Sequence, residues 1–195
     1  ENHDNYMREL WEYDAKGNML KHTSVNGFNS EVSGMADSWA YNSDGQKTSL
    51  IHQQYVNNVL QNESRETYEY ENGKLVKKYT SSWDQMENTW GPASCCTYYY
   101  DSETGFVLRY EQAAEGMAPY ARCMYTTDGQ GRITKASYQS ENDGQWDETR
   151  REEFEYAKDT LVSKYTKYDT NEQGVLYCQS IESFEYDAQN HVTLH

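Results

Sequence analysis

The chain has 195 residues, of which 32 are acidic and 17 are basic, and its formal net charge is −15. This charge disfavours nucleic acids and anionic membrane surfaces as partners, because both attract cationic patches. No apolar run approaches the roughly 18 residues that a membrane-spanning helix needs. Hydrophobic residues make up 36% of the chain, but 19 residues are tyrosine and 5 are tryptophan. Since aromatic side chains suit half-buried surfaces and strands, we expect a β-rich fold with a thin core.

An aromatic pair separated by one residue recurs along the chain, and the second member of each pair serves as a repeat anchor. The anchors are Tyr13, Tyr41, Tyr70, Tyr100, Tyr125, Tyr156 and Tyr186. Two positions before them stand Trp11, Trp39, Tyr68, Tyr98, Cys123, Phe154 and Phe184. The anchor spacing is 25 to 31 residues, and turn-forming Asp, Asn, Gly and Ser follow each anchor. The sequence therefore predicts about seven tandem β-hairpins.

The first two repeats show the weakest strand pattern. Residues 25–36 and 56–63 lack a clean alternation of apolar and polar side chains. A short helix in these segments is therefore an open alternative to strands. The second strands of later hairpins are clearer, at residues 75–79, 106–110, 133–138 and 161–165.

The third repeat, residues 65–80, contains the clearest hairpin. Asn72-Gly73 is a strong signal for a type I′ turn, because both residues tolerate the positive φ that this turn requires. A two-residue turn predicts four cross-strand pairs, which are Glu71 with Lys74, Tyr70 with Leu75, Tyr68 with Lys77, and Glu66 with Tyr79. Strict alternation then places Tyr68, Tyr70, Leu75 and Tyr79 on one aromatic face.

These hairpins together predict the fold class. We expect an all-β chain that forms a single domain over residues 1–195, with 12 to 14 strands in one long antiparallel meander. Sheets with more than about ten strands rarely stay flat. The meander is therefore expected to be curved, with the aromatic side lining the inside of the curve.

The hairpin motif resembles the YD, or Rhs-type, repeat of extracellular bacterial proteins, and more closely secreted Bacteroidetes β-repeat proteins of unknown function. The matching residues are Tyr13-Asp14, Tyr100-Asp101 and Tyr186-Asp187, with Gly17 and Gly105 completing the first two turns. The other repeats depart from this pattern, with Asn42, Glu71, Thr126 and Ala157 at the position of the Asp. The resemblance implies an exported scaffold without catalytic residues. The start at Glu1 rather than Met agrees with removal of a targeting segment from a secreted, periplasmic or cell-surface protein.

The cysteines and histidines show no pattern of a metal or cofactor site. Cys95, Cys96, Cys123 and Cys178 lack CxxC spacing, and no HExxH, P-loop or dinucleotide motif occurs, so no metal and no cofactor are predicted. By alternation, Cys96, Cys123 and Cys178 are expected on the aromatic face as small core residues. Equivalent strands of successive repeats lie about 9–10 Å apart, which exceeds the reach of a disulfide. At most one disulfide is therefore expected.

Three tryptophans beside polar loops are the candidate ligand-binding residues. The predicted site comprises Trp83, Trp90, Trp146, Asp84 and Asp143. Flat rings next to carboxylates or amides suit a glycan or a cell-surface protein, whereas the Tyr-x-Tyr rings are expected to form the repeat core. The alternative function is a secreted glycoside-type hydrolase with paired carboxylates, for which the candidates are Glu152, Glu153 and Glu155 near Trp146.

Overall fold

A computed structural model describes residues 6–28 and 31–194 of the chain. These residues form sixteen strands and no helix. The strands are β1 (Tyr6–Tyr13), β2 (Met19–Phe28), β3 (Glu31–Tyr41), β4 (Lys47–Val56), β5 (Val59–Glu71), β6 (Lys74–Asp84), β7 (Thr89–Trp90), β8 (Ser94–Tyr100), β9 (Val107–Ala114), β10 (Ala121–Thr127), β11 (Ile133–Asn142), β12 (Gln145–Lys158), β13 (Leu161–Thr170), β14 (Leu176–Ser183), β15 (Glu185–Tyr186) and β16 (Val192–Leu194).

The strands follow chain order in a 14-stranded antiparallel sheet, so the predicted all-β meander is confirmed. The chain divides into two compact units, with the boundary between Cys95 and Cys96. In the first unit, β1 to β6 lie side by side in order, and β7 pairs with β6. In the second unit, β9 to β14 do the same, and β15 pairs with β16. The curvature of the sheet and the single-domain organisation stay predictions.

The first two repeats are strands rather than short helices. Strands β2 and β3 cover most of residues 25–36, and β4 and β5 form a hairpin across residues 56–63. This hairpin closes through Asn57 and Asn58, whose φ angles are 51° and 65°. Asparagine is one of the few residues other than glycine that adopts these left-handed angles at low cost. The open alternative of a helix is therefore wrong.

A β-bulge near the turn shifts the register of most hairpins. In the third repeat, Glu71 faces Lys74 and Tyr70 faces Leu75 as predicted, but Val76 is an extra residue. Beyond it, the pairs are Tyr68 with Lys78, Thr67 with Tyr79 and Glu66 with Thr80. The predicted pairs of Tyr68 with Lys77 and Glu66 with Tyr79 are thus wrong, and Tyr79 lies on the face opposite Tyr68. Equivalent extra residues in other hairpins are Leu20, Thr48, Thr134, Ser163 and Thr193.

The position of this bulge corrects the anchor of the fifth repeat. The bulge follows Thr127 and not Tyr125, because Thr127 pairs with Ile133 and Thr126 pairs with Lys135. The residue two positions before the anchor is then Tyr125 instead of Cys123, so all seven repeats carry an aromatic residue there. The corrected spacings of Thr127 from Tyr100 and Tyr156 are 27 and 29 residues.

The residue after the anchor caps its own turn. Asp14 Oδ1 accepts hydrogen bonds from the backbone N–H groups of Lys16 and Asn18, at 2.8 and 2.9 Å. The same side-chain role belongs to Asn42, Asp101, Asp128 and Asp187. These Asx turns leave the backbone less free to extend and so end the first strand in these five repeats. The Asp or Asn of the repeat is therefore a structural residue, and the fifth repeat carries it at Asp128.

Few side chains are fully buried. Among the described residues, the buried apolar ones are Val25, Ala36, Ala93, Cys123 and Ala136. Cys123 is buried as predicted, but Cys178 is exposed, and none of the four cysteines forms a disulfide. A bulge at Gln179 explains the difference, because it pairs Cys178 with Tyr168, on the face opposite Phe154 and Tyr165. The prediction that Cys178 is a core residue is wrong.

Candidate functional site

Trp83 and Trp90 meet where strand β6 ends. A short turn returns the chain as β7, and the pairing of the two strands places Trp83 opposite Trp90. Their ring centroids are 4.9 Å apart with an interplanar angle of 75°, an edge-to-face contact. Both residues are half-buried. The contact therefore holds the Trp83 ring in one orientation while part of the ring stays accessible.

A groove of about 420 Å³ lies against the Trp83 ring. We call it the Trp83 groove, and its lining residues are Gln53, Leu60, Gln61, Asn62, Trp83, Gln85 and Asn88. Five of these seven side chains are primary amides. The volume is within the range of roughly 300–1,000 Å³ that ligand-binding sites occupy. The groove thus combines one aromatic wall with a polar, uncharged lining.

The amide lining comes from the β4–β5 hairpin and from the turn after β6. Gln53 and Asn62 face each other across the hairpin, and Gln53 Nε2 donates a hydrogen bond to Asn62 Oδ1 at 3.0 Å. Asn88 has a φ of 52°, so this residue also shapes the turn between β6 and β7. Gln85, in the same turn, is exposed. Two of the amides are therefore held by each other, and two lie at the mouth of the groove.

The Trp83 groove lies on the face of the sheet opposite the Tyr-x-Tyr positions of the third repeat. Arg65 pairs with Ser81 across β5 and β6, which places Arg65 on the same face as Trp83 two residues further on. The guanidinium carbon of Arg65 lies 4.8 Å from the ring centroid of Trp90, in a cation–π contact. Tyr68 belongs to the other face. The tryptophan pair is therefore separate from the repeated aromatic positions.

Asp84 has a structural role at this site. Its Oδ1 accepts hydrogen bonds from the backbone N–H groups of Met86 and Glu87, at 2.9 and 3.0 Å. These bonds form the turn that brings β7 back beside β6. Trp83, Trp90 and Asp84 are thus brought together, with Asp84 as the residue that shapes the turn.

Trp146 and Asp143 lie in the second unit, in a different chemical environment. The guanidinium carbon of Arg122 lies 4.2 Å from the ring centroid of Trp146, so a cation covers this ring. Arg122 Nε also donates to Gln139 Oε1 at 2.7 Å, which fixes the guanidinium in place. Asp143 is exposed and has a φ of 49° in the β11–β12 turn. The Trp146 ring is therefore covered by a local cation, and Asp143 occupies a turn position.

The three candidate carboxylates of a hydrolase are engaged with other side chains. Glu152 accepts from Arg150 at 2.9 Å and from the Tyr138 hydroxyl at 3.2 Å. Glu153 accepts from the Tyr168 hydroxyl at 3.3 Å, and Glu155 accepts from Lys164 at 2.9 Å. Glu152 also lies on the face of β12 opposite Glu153 and Glu155, because alternate residues of a strand point to opposite faces. Glu152 therefore does not share a face with the other two carboxylates, whereas Glu153 and Glu155 lie on one face and are each bonded to another side chain.

Within residues 6–28 and 31–194, no group of three or more His, Cys, Asp and Glu side chains is arranged to hold a metal ion. His191 Nδ1 lies 3.1 Å from Asp187 Oδ2, within the turn that Asp187 caps; His195 is outside the described residues. In the same described part, no helix has the length and apolar character to cross a membrane.

The amides of the Trp83 groove that lie on the β4–β5 hairpin, Gln53, Gln61 and Asn62, were not predicted from the sequence. Their placement depends on the hairpin at Asn57-Asn58, where the strand pattern looked weakest. Recognition of this asparagine pair as a type I′ turn would have given the pairing of Gln53 with Asn62, because pairs are counted outward from the turn. The local signal was present, but its neighbours lacked the expected alternation.

Comparisons with known proteins give limited likeness. No protein-family model and no curated protein matches this chain. A DUF3836 family protein from Parabacteroides distasonis ATCC 8503 is 22% identical, with a TM-score of 0.30, over 46% of this chain and 76% of that one.

Two further solved structures cover more of this chain. A TcdB2-TccC3-TEV structure is 16% identical, with a TM-score of 0.41, over 96% of this chain and 10% of that one. A porin-like protein from Bacteroides uniformis ATCC 8492 is 12% identical, with a TM-score of 0.29, over 90% of this chain and 93% of that one. At these identities and TM-scores the likenesses carry no argument about function, and membership of the YD-repeat class stays a proposal.

Proposed function

We propose that this chain is a non-enzymatic binding module of an exported β-repeat protein, and that it holds a glycan or a cell-surface protein in the Trp83 groove. The observation that supports this proposal is the edge-to-face pair of Trp83 and Trp90 beside five amide side chains. An accessible ring of fixed orientation covers an apolar ligand face, and amides pair with hydroxyl or peptide groups. The resemblance to YD-type repeats agrees with export.

The side chains of the groove are already held in place before a ligand arrives, which favours ligand binding. The Trp83 ring is already held by Trp90, and the Gln53 amide is already bonded to Asn62 at 3.0 Å. Side chains that are fixed beforehand lose less conformational entropy when a ligand arrives, so more of the contact energy becomes affinity. A groove of this kind suits recognition without chemical change, because its lining offers hydrogen-bond donors and acceptors but neither a nucleophile nor a general base.

The test is binding of the wild-type chain to a glycan array and to cell-surface proteins, followed by the variants Trp83→Ala and Trp146→Ala. Removal of an aromatic anchor at the centre of a site costs roughly 2 kcal/mol or more in affinity, which is about thirtyfold in Kd. We expect this loss for Trp83→Ala and an unchanged Kd for Trp146→Ala. Equal affinity of Trp83→Ala and wild type, with the fold intact by circular dichroism, would contradict the proposal.

A further inference from the structure

We infer that the ligand of the Trp83 groove is an uncharged glycan, recognised through its hydroxyl groups and not through carboxylate or sulfate groups. This inference rests on the proposed function and adds the charge class of the ligand. It follows from the contrast between the groove and the chain as a whole. The chain has 49 charged residues among Asp, Glu, Lys and Arg, yet none of the seven residues that line the groove is charged.

Primary amides match the hydrogen-bonding needs of sugar hydroxyls. Each amide offers two N–H donors and a carbonyl acceptor, and each hydroxyl can donate and accept at once. Gln53 and Asn62 are held together at 3.0 Å, and their remaining donors and acceptors are free to meet neighbouring hydroxyls of one ring. Gln85 and Asn88 offer the same groups at the mouth of the groove. The arrangement thus suits a ligand that presents several uncharged donors and acceptors close together.

The apolar part of the groove has the complementary role. Trp83 presents a flat ring, and Leu60 is the one aliphatic side chain of the lining. A pyranose ring has C–H groups on its faces and hydroxyls around its edge, so it can lie against an aromatic ring while its edge meets amides.

An anionic glycan lacks a cationic partner at this site. Carboxylates and sulfates are held in proteins by Arg or Lys, and most strongly by two parallel bonds from a guanidinium. Arg65 lies beside the tryptophan pair, but its guanidinium is stacked on Trp90 at 4.8 Å and is not part of the groove lining. The net charge of −15 also repels anionic ligands over longer distances. Desolvation of an unpaired anion in the groove would therefore cost affinity.

The experiment uses an array that carries both neutral oligosaccharides of hexoses and N-acetylhexosamines and acidic oligosaccharides with uronic acid, sialic acid or sulfate groups. Wild type is expected to bind neutral members and to leave acidic members unbound. For the best neutral member, Kd should change less than about twofold between about 0.05 M and 0.5 M salt, because no ion pair is available to be screened.

A pair of variants of opposite charge, Gln85→Lys and Gln85→Glu, then tests the ligand charge directly. Gln85 is exposed, so both variants are expected to fold. An uncharged ligand should respond to both in the same way, with Kd values within about threefold of each other. An anionic ligand should prefer the lysine variant by roughly tenfold or more, since two unit changes of charge near 5 Å act in the same direction.

The outcomes separate this inference from the proposed function. Binding of neutral glycans that is lost in Trp83→Ala and insensitive to salt supports both. Binding of acidic glycans only, with loss in Trp83→Ala and a large difference between the two Gln85 variants, overturns the inference and leaves the binding module in place. Glycan binding that is indifferent to Trp83→Ala overturns both the inference and the proposed function at this groove. Absence of binding to every glycan on the array overturns the inference but leaves a cell-surface protein as the ligand of the proposed function.

Discussion

The two units use aromatic side chains in different ways. In the second unit, Cys123 pairs with Tyr110 on one side and Tyr138 on the other, and its side chain is fully buried. The rings of Tyr110 and Tyr125 lie 6.3 Å apart beside it. In the first unit, the Trp83 ring instead borders a groove. One aromatic cluster is closed into a core, whereas the other is left open.

The difference follows from the neighbours of the rings. A thiol is small and apolar, so rings from adjacent strands can approach over it and exclude water. Burial then raises the pKa of the Cys123 thiol to about 11 and that of Tyr110 to about 12, because the charged forms lose hydration. Amides such as Gln53 and Asn62 keep hydrogen-bonding groups beside Trp83, and closing over them would leave these groups without partners. Small neighbours therefore favour a core and amide neighbours favour a groove.

The strongest test of this contrast is Cys123→Asp. A carboxylate at this fully buried position would lose its hydration among aromatic rings, and we expect a loss of at least ~3 kcal/mol in the free energy of unfolding. Urea denaturation measures it. The matched control is Cys178→Asp. Because Cys178 is exposed, this substitution should lower the free energy of unfolding by less than about 0.5 kcal/mol. Equal losses for both variants would mean that Cys123 is not in a closed core.

The second prediction concerns the open cluster, through Trp90→Ala. This variant removes the edge-to-face partner of Trp83 and the ring on which Arg65 is stacked. Because Trp90 is half-buried, we expect a loss of roughly 2 kcal/mol in the free energy of unfolding, below the cost of a fully buried tryptophan. The control Gln85→Ala should leave stability unchanged. If Trp90→Ala has the same free energy of unfolding as the wild type, the tryptophan pair does not hold the β6–β7 turn.

The third prediction is a loss of stability at alkaline pH that comes from the closed core. The unfolded chain releases the cysteine proton near pH 8.5, whereas the folded pKa of Cys123 is raised to about 11 by burial. Above the unfolded pKa the unfolded state binds fewer protons, so the free energy of unfolding falls as pH rises. The expected contribution of this thiol by about pH 10 is a loss of about 2 kcal/mol.

Denaturation curves between about pH 7 and pH 10 measure this effect, with Cys123→Ala as the control. The variant starts from a lower stability, but its curve should be flatter across this range, because the titrating group is gone. Parallel curves for wild type and Cys123→Ala would assign the alkaline loss to other groups.

The smallest expected effect is that of Gln53→Ala in the groove. The variant removes the hydrogen bond to Asn62, which is partly exposed, so water can replace it. We expect a loss of about 1 kcal/mol or less in the free energy of unfolding. In the same variant, the loss in binding free energy for the best glycan should be larger than the loss in the free energy of unfolding. A loss as large as that of Cys123→Asp would show that the amides belong to the core.

Much of the fold could be predicted from the sequence because its signals are local. Alternation of side chains predicted the strands of the later repeats, and Asn72-Gly73 predicted a turn whose φ angles are 49° and 79°. The Asp or Asn that follows an anchor predicted a turn, and the side chain of this Asp or Asn caps that turn. Trp83 stood out as an aromatic residue outside the repeat, and it borders the groove. Each of these features depends on residues a few positions apart.

The tertiary structure alone decided which side chains share a face beyond each turn. One extra residue in a strand reverses the face of everything after it, so the bulge at Val76 moved Tyr79 away from Tyr68. The bulge at Gln179 likewise moved Cys178 into solvent. A bulge is stabilised by the twist and hydrogen bonds of the paired strands, which a single strand's sequence does not contain. The approach of the Gln53–Asn62 pair to Trp83 was decided in the same way, by the pairing of β5 with both β4 and β6.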